Sequence, residues 1–268
     1  MMGEQEHEYE TLQLSTPGPD VLEVTLHRPA AANALNTQMG LDLVALFEWL
    51  ALEPDRHRAI VLTGAGERAF CAGGDLKERN NMTDAAWQHQ HRIFERMARA
   101  LLDCPLPIIA AVNGAAYGGG AEIALCCDFI YAADSARFAL TEVTLGIMPG
   151  CGGTQNLARA VGERRAKEIV LTGRPFSAAD AQAWSLVNAV FELPALRDAA
   201  RDTAKIIAGN APLAVRQAKQ AMHAGLQLDL ANALNFEIEA YNRLVPTRDR
   251  LEGVRAFNEK RKAQFRGE

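Results

Sequence analysis

The 268-residue sequence is short of most features that would place a chain quickly. It has five cysteines, an odd number that includes the adjacent pair Cys126–Cys127, so no spaced disulfide framework emerges and a reducing compartment is expected. It lacks an excess of positive charge: 28 Lys and Arg against 33 Asp and Glu give a formal net charge of −5, unlike a dedicated nucleic-acid binder. No apolar run is long enough to span a bilayer, and the purest, Leu106 to Val112, is interrupted by Pro107. The opening MMGEQEHEYE is acidic and polar, unlike a secretory signal or an Arg-rich transit peptide. A cytoplasmic protein with no membrane or nucleic-acid partner is therefore expected. Against these absences stand 49% hydrophobic and 23% charged residues, enough for one large domain with a sizeable core, or one domain with an appendage.

Several catalytic signatures are also missing. There is no G-x-x-x-x-G-K-[ST] loop and no H-E-x-x-H, and the six histidines are scattered, so neither a P-loop NTPase nor a zinc or other metal constellation is expected. His89, His91 and Arg92 share a helix and fit a solvated face better than a ligand set. None of the four serines (Ser15, Ser135, Ser177, Ser185) sits in G-x-S-x-G. Gly64-Ala65-Gly66-Glu67-Arg68-Ala69 fits G-x-G-x-x-A, but the glycine-rich Phe70-Cys71-Ala72-Gly73-Gly74 follows where a dinucleotide loop requires a helix. Cys71 has no histidine partner in its motif and reads as a small buried filler.

The first two-thirds of the chain alternates strand and helix patterns. Val21 to Leu26 reads as a strand, Thr37 as the cap of a helix that Pro54 ends, and Ala59 to Leu62 as a short apolar strand. Thr83 caps a second helix that stops before Pro105; the strand PIIAAV, a glycine cluster and the apolar EIALCC follow. Short strands with intervening helices indicate an α/β fold. From Pro194 onward only helical patterns occur, punctuated by Gly209, Gly225 and Thr247. This stretch fits either a helical layer over the sheet or an oligomerisation segment whose apolar faces need partners.

Three glycine-bearing segments carry the chemistry: Ala69 to Lys77, Asn113 to Glu122, and Glu142 to Thr154. In the second, a strand runs into Gly118-Gly119-Gly120 and then into a helix-compatible segment. Glycines admit positive φ and close approach of a ligand, and free N–H groups at a helix start suit an anion or a developing oxyanion. A tight strand–helix turn would explain the glycines equally well. Glu122 tips the balance, because a carboxylate between Ala121 and Ile123 is expensive to bury without a task. Glu142 stands likewise ahead of a Gly/Pro-rich loop, and two such glutamates suggest paired acid–base chemistry.

The segment IIAAVNGAAYGGGAEIALCCD (108–128) resembles the signature of the crotonase (enoyl-CoA hydratase/isomerase) superfamily, and AFCAGGDLKER, TEVTLGIMPGCGGTQNLARAVG and PTRDRLEGVRAFNEKRKAQF extend the resemblance from about Arg28 to the end. The DLKER stretch and the PTRDRLEG tail are most similar to hydratases that also act on methylglutaconyl-CoA. The resemblance implies a spiral of ββα units over residues 1–193 and a helical trimerisation segment over 194–268, with assembly as a homotrimer or dimer of trimers. It implies a lyase of fatty acid metabolism that adds water to a 2-enoyl-CoA, with no metal or redox cofactor, CoA being part of the substrate. By the same resemblance the amides of Gly74 and Gly119 form an oxyanion hole, Glu122 and Glu142 hold the water, Glu122 activates it and Glu142 delivers the proton to the α-carbon. Asp75, Leu76 and Lys77 fit the stretch that meets CoA, and Phe257 and Lys260 match positions that reach the CoA of a neighbouring subunit.

Two departures stand out. Ala30 stands where some relatives have a basic residue, which puts one CoA contact in question, and Thr141 stands where the best-known hydratases have proline before the second glutamate, a change expected to alter the stiffness of that loop more than the chemistry. The rival readings are an enoyl-CoA isomerase on the same scaffold, which manages with one carboxylate, and an acyl-CoA or RNA binder without turnover. Trp87, His91, Arg92 and Met148 are candidate neighbours of the acyl chain. Arg79 and Arg92 could meet a second carboxylate, although surface charge explains both.

Overall fold

The computed structural model describes residues 8–268; most of the acidic opening segment lies outside them. The chain runs β1 (Leu12–Gly18), β2 (Val21–Leu26), α1 (Thr37–Leu52), β3 (Ala59–Gly64), β4 (Ala69–Cys71), α2 (Leu76–Arg79), α3 (Asp84–Leu102), β5 (Ile108–Val112), β6 (Ala115–Tyr117), α4 (Gly119–Leu125), β7 (Phe129–Ala133) and β8 (Arg137–Ala139). It continues through α5 (Gly153–Val161), α6 (Glu163–Thr172), β9 (Phe176–Ser177), α7 (Ala178–Ala183) and β10 (Ala189–Phe191). Four helices close it: α8 (Leu193–Ala208), α9 (Pro212–Gly225), α10 (Leu230–Asn242) and α11 (Arg248–Asn258).

Two sheets form, and the chain alternates between them. The larger has strand order β1-β2-β3-β5-β7-β10 and the smaller β4-β6-β8-β9. Each successive pair (β3 and β4, β5 and β6, β7 and β8) gives its first strand to the large sheet and its second to the small one. That is the ββα spiral the sequence resemblance implies. Pairing is parallel along the coils, for example Ile60↔Ile108 and Ile109↔Phe129 in the large sheet and Ala115↔Arg137 in the small one. Parallel strands covered on both faces need continuous apolar runs. AIVLTG of β3 and IIAAV of β5 supply them, with every residue buried.

The helix signals are largely kept. Thr83 accepts from Ala86 N and Thr247 from Arg250 N, each capping its helix as expected. The first cap differs: Asn36, not Thr37, accepts from Met39 N, and Thr37 is already helical. Asparagine caps at least as well as threonine, and the more N-terminal polar residue took the position. The helical stretch begins at Leu193, and α8 lies on the large sheet with Leu196, Ala200 and Ala204 buried. Helices α9 to α11 leave Leu226, Leu230, Ile238, Tyr241, Val254 and Phe257 exposed. No helix among the described residues is long and apolar enough to cross a membrane.

Neighbouring coils are fastened by one buried amide. Asn113, at the β5–β6 turn, donates to Gly64 O at 3.0 Å and Gly66 O at 2.6 Å and accepts from Gly64 N at 3.1 Å. The β3–β4 and β5–β6 turns are thereby locked together, which sets the spacing of the loops that leave β4 and β6. Replacing Asn113 with Ala strands buried backbone groups that each cost about 1–3 kcal/mol. We expect Asn113→Ala to lower stability by at least about 2 kcal/mol, seen as a lower urea midpoint; an unchanged midpoint would show that the clasp is dispensable.

Candidate active site

The loops that follow β4, β6 and β8 meet at one cavity of about 670 Å³. Its lining includes Gly74, Gly119, Glu122 and Glu142, so four residues spread over the sequence converge. Close backbone approach makes this possible. Gly118 adopts φ 50°, and a Cβ there would lie 3.1 Å from Glu142 Oε1. A Cβ on Gly120 would collide with the carbonyl of Cys71, so the start of α4 rests directly on the end of β4. The Cβ position of Gly73, at φ 92°, lies 3.6 Å from Gly119 N, and that of Gly119 lies 3.8 Å from Gly74 N, which places the two amides side by side.

Those amides are free. The bonds Leu35 N to Gly73 O (2.8 Å) and Asp75 N to Leu35 O (2.9 Å) fix the backbone on both sides of Gly74 while leaving its own N–H unused. Neither Gly74 N nor Gly119 N has a hydrogen-bond acceptor among the described residues. Two fixed donors aimed into a cavity form a site for an oxygen that acquires negative charge.

The two carboxyls differ in their support. Glu122, 3% exposed, accepts at Oε1 from Cys151 N (2.7 Å) and Gly153 N (2.9 Å). These donors belong to the loop before α5 and to its first residue, and a Cβ on Gly153 would lie 2.8 Å from that same oxygen. Glu142, 8% exposed, has no partner for either oxygen among the described residues. Burial raises the pKa of both. For Glu122 the Gly153 and Cys151 amides work against the rise. Glu142 is pushed up to about 7 by burial, with the nearby Glu122 charge adding to the effect. The charge settles first on the carboxylate that has donors.

The sequence of residues 18–268 matches the family model described as "Enoyl-CoA hydratase/isomerase". The chain belongs to the enoyl-CoA hydratase/isomerase family. It is 41% identical over 247 residues to the short-chain-enoyl-CoA hydratase of Clostridium acetobutylicum, with 91% of this chain and 93% of that protein covered. It is 41% identical over 271 residues to enoyl-CoA hydratase domain-containing protein 2, mitochondrial, of Bos taurus, covering 97% and 89% respectively. The crystal structure of enoyl-CoA hydratase from Bacillus anthracis superposes with a TM-score of 0.95 at 42% identity, over 97% of this chain and all of that one.

Not every residue that the family resemblance singled out lies in the cavity. Leu76 lines it, as do Trp87, His91, Arg92 and Met148. Asp75 does not: its carboxylate pairs with Arg28 at 2.9 Å and caps α2 through Lys77 N and Glu78 N. Lys77 is exposed on α2 outside the lining, and Phe257 and Lys260 stand exposed at the end of α11, away from it. His91, expected on a solvated face, packs its ring against Gly150 and pairs with Glu95 at 3.3 Å. Cys71 is fully buried, as expected of a filler. Sequence reasoning missed the use of the Gly150–Gly153 loop to hold Glu122, although its glycines marked it as unusual. It also left Arg79 on the surface, whereas the structure turns it into the cavity.

The Glu142 environment gives a stability prediction. The folded chain holds this proton up to about 7, whereas the unfolded chain releases it near the ordinary value of 4.5. Between those values the folded state binds more protons, so this group's contribution to stability falls as pH rises. Glu142→Gln carries no such cost. Its stability relative to wild type should therefore increase between pH 5 and pH 8, measured by urea unfolding at both; a pH-independent difference would contradict the assignment.

Proposed function

We propose that this chain reversibly adds water across the C2=C3 bond of a 2-enoyl-CoA thioester to give a 3-hydroxyacyl-CoA. One observation carries the proposal: two buried carboxyls and two unpartnered backbone amides line the same cavity. The thioester oxygen lies on Gly74 N and Gly119 N. Ionised Glu122 takes a proton from water as its oxygen adds to C3, and the electron pair moves through C2 to the thioester oxygen as an enolate. Protonated Glu142 then delivers its proton to C2, and the amides release the restored carbonyl. The division of labour follows from hydrogen bonding: Glu122 has two amides to hold its charge, and Glu142 has none and keeps its proton. This chemistry requires neither metal nor redox cofactor, and CoA enters with the substrate.

The wider reading keeps residues 1–193 as the catalytic spiral and 194–268 as the helical segment that joins subunits into a homotrimer or dimer of trimers. The exposed apolar residues of α9 to α11 support it. In such an assembly Phe257 and Lys260 would reach the CoA of a neighbouring subunit, and Lys77 is free to meet the CoA of its own. Five unpaired cysteines support a cytoplasmic location, and fatty acid metabolism is the setting in which such substrates arise.

An isomerase would move a proton between carbons without water and has no use for Glu122. On crotonyl-CoA the expected result is loss of the conjugated-thioester absorbance with 3-hydroxybutyryl-CoA as product. Recovery of a shifted double bond alone, or no absorbance change, would overturn the hydratase reading. Glu122→Gln and Glu142→Gln should each lower kcat by about 10²–10⁴ while leaving acyl-CoA affinity largely intact. Gly119→Pro removes one oxyanion donor and should cost at least about 10²-fold in kcat; wild-type turnover would remove that amide from the site.

A further inference from the structure

The cavity contains a charge that the proposed chemistry leaves unused. Arg79, at the end of α2, donates from Nε to Gln90 Oε1 at 2.7 Å and lies 4.3 Å from the centroid of the Trp87 ring. Gln90 is 2% exposed and is itself anchored, with Nε2 donating to Glu78 Oε2 and to Thr37 Oγ1, both at 2.8 Å. The carboxylate of Glu78 accepts in turn from Thr37 N at 3.0 Å, at the start of α1. Three helices therefore brace one guanidinium. Its Nη1 and Nη2 have no acceptor among the described residues, and Nη1 lies 3.2 Å from the Cβ position of Gly74. The cation thus stands beside one of the free amides, in the cavity that holds both carboxyls.

We propose that Arg79 is a positioning residue whose fixed charge keeps the Glu122–Glu142 pair holding one proton rather than two across the neutral range. The inference rests on the hydratase reading, which requires one ionised and one protonated glutamate. Two carboxyls in a desolvated cavity resist ionisation, and a neighbouring cation that cannot itself titrate offsets this. Arg79 opposes the rise at Glu142, and other basic groups share the cavity lining. His91 on α3 opposes the rise at Glu122 but is paired with Glu95 at 3.3 Å, and Arg92 shares that helix. Glu78 on α2 is negative and occupied by Thr37 and Gln90. The thiols of Cys126 and Cys151 beside Glu122 stay protonated, burial pushing the former up to about 12 and the latter higher.

The test is the pH profile of kcat/KM on crotonyl-CoA for wild type, Arg79→Met and Arg79→Lys, with infrared titration of the Glu142 carboxyl in the free protein, identified by its loss in Glu142→Gln. In Arg79→Met both limbs of the profile and the carboxyl titration should move up by about one pH unit. Arg79→Lys, which retains the charge, should stay within about 0.3 of wild type. Arg79→Gln removes the charge while keeping a donor for Gln90, and takes the place of the methionine variant should that fail to fold. A uniform loss of rate with both limbs and the carboxyl signal in place would overturn the proposal and leave Arg79 a packing role. A shifted carboxyl titration in a protein that does not hydrate crotonyl-CoA would uphold the electrostatic role while refuting the hydratase reading.

Discussion

Enclosing two carboxyl groups in a single cavity is unfavourable twice over, because each loses water and each repels the other's charge. Much of the structure around the cavity compensates for that pairing. The loop before α5 and the first residue of that helix each give an amide to one oxygen of Glu122, so this carboxyl can bear charge without solvent. Glu142 receives no such help and is left as the proton holder. The asymmetry lies in the backbone, and backbone amides cannot be rotated away as side chains can. The two carboxyls are therefore distinguished by their surroundings before any ligand enters.

The glycines serve the same end by a different route. Gly118 and Gly120 allow the start of α4 to lie against the end of β4 and against Glu142, at separations that a methyl group would prevent. The two free amides become neighbours because the chain can be packed so tightly there. Leu35 then anchors the strand on both sides of Gly74, so that one N–H remains pointed into the cavity. Rigid flanks with a single unsatisfied donor between them are what pre-organisation requires.

Much of this was legible in the sequence, and the reasons are local. The glycine triplet, the two glutamates and the all-buried runs of β3 and β5 follow from residue type and spacing, and the family resemblance pointed to the two free amides and the spiral. What could not be read depends on which segments meet. Nothing in the spacing of Gly150–Gly153 says that its amides would turn back to Glu122, some thirty residues earlier. Arg79 reads as a surface charge because a short helix offers no periodicity to show which side faces inward; Gln90 and Trp87, from the following helix, draw it in. The Asn36 cap was missed because Asn36 and Thr37 are adjacent and both competent, and one position decides which residue flanks the first turn. The burial of α8 against the large sheet, with α9 to α11 left apolar and outward, is likewise a tertiary outcome that four similar amphipathic patterns do not distinguish.

The alternation of the chain between two sheets has a consequence for how such a site can change. Gly74 follows the small-sheet strand of one coil, the glycine triplet and Glu122 follow that of the next, and Glu142 follows that of the third. The two free amides and the two carboxyls are thus spread over three rungs of one ladder, each rung secured by its own strand pairing. A mutation in the loop of one rung can remodel the groups that rung carries while the others keep their positions. Slippage between rungs would instead displace all three together, so the scaffold is tolerant of local invention and intolerant of any error in pitch.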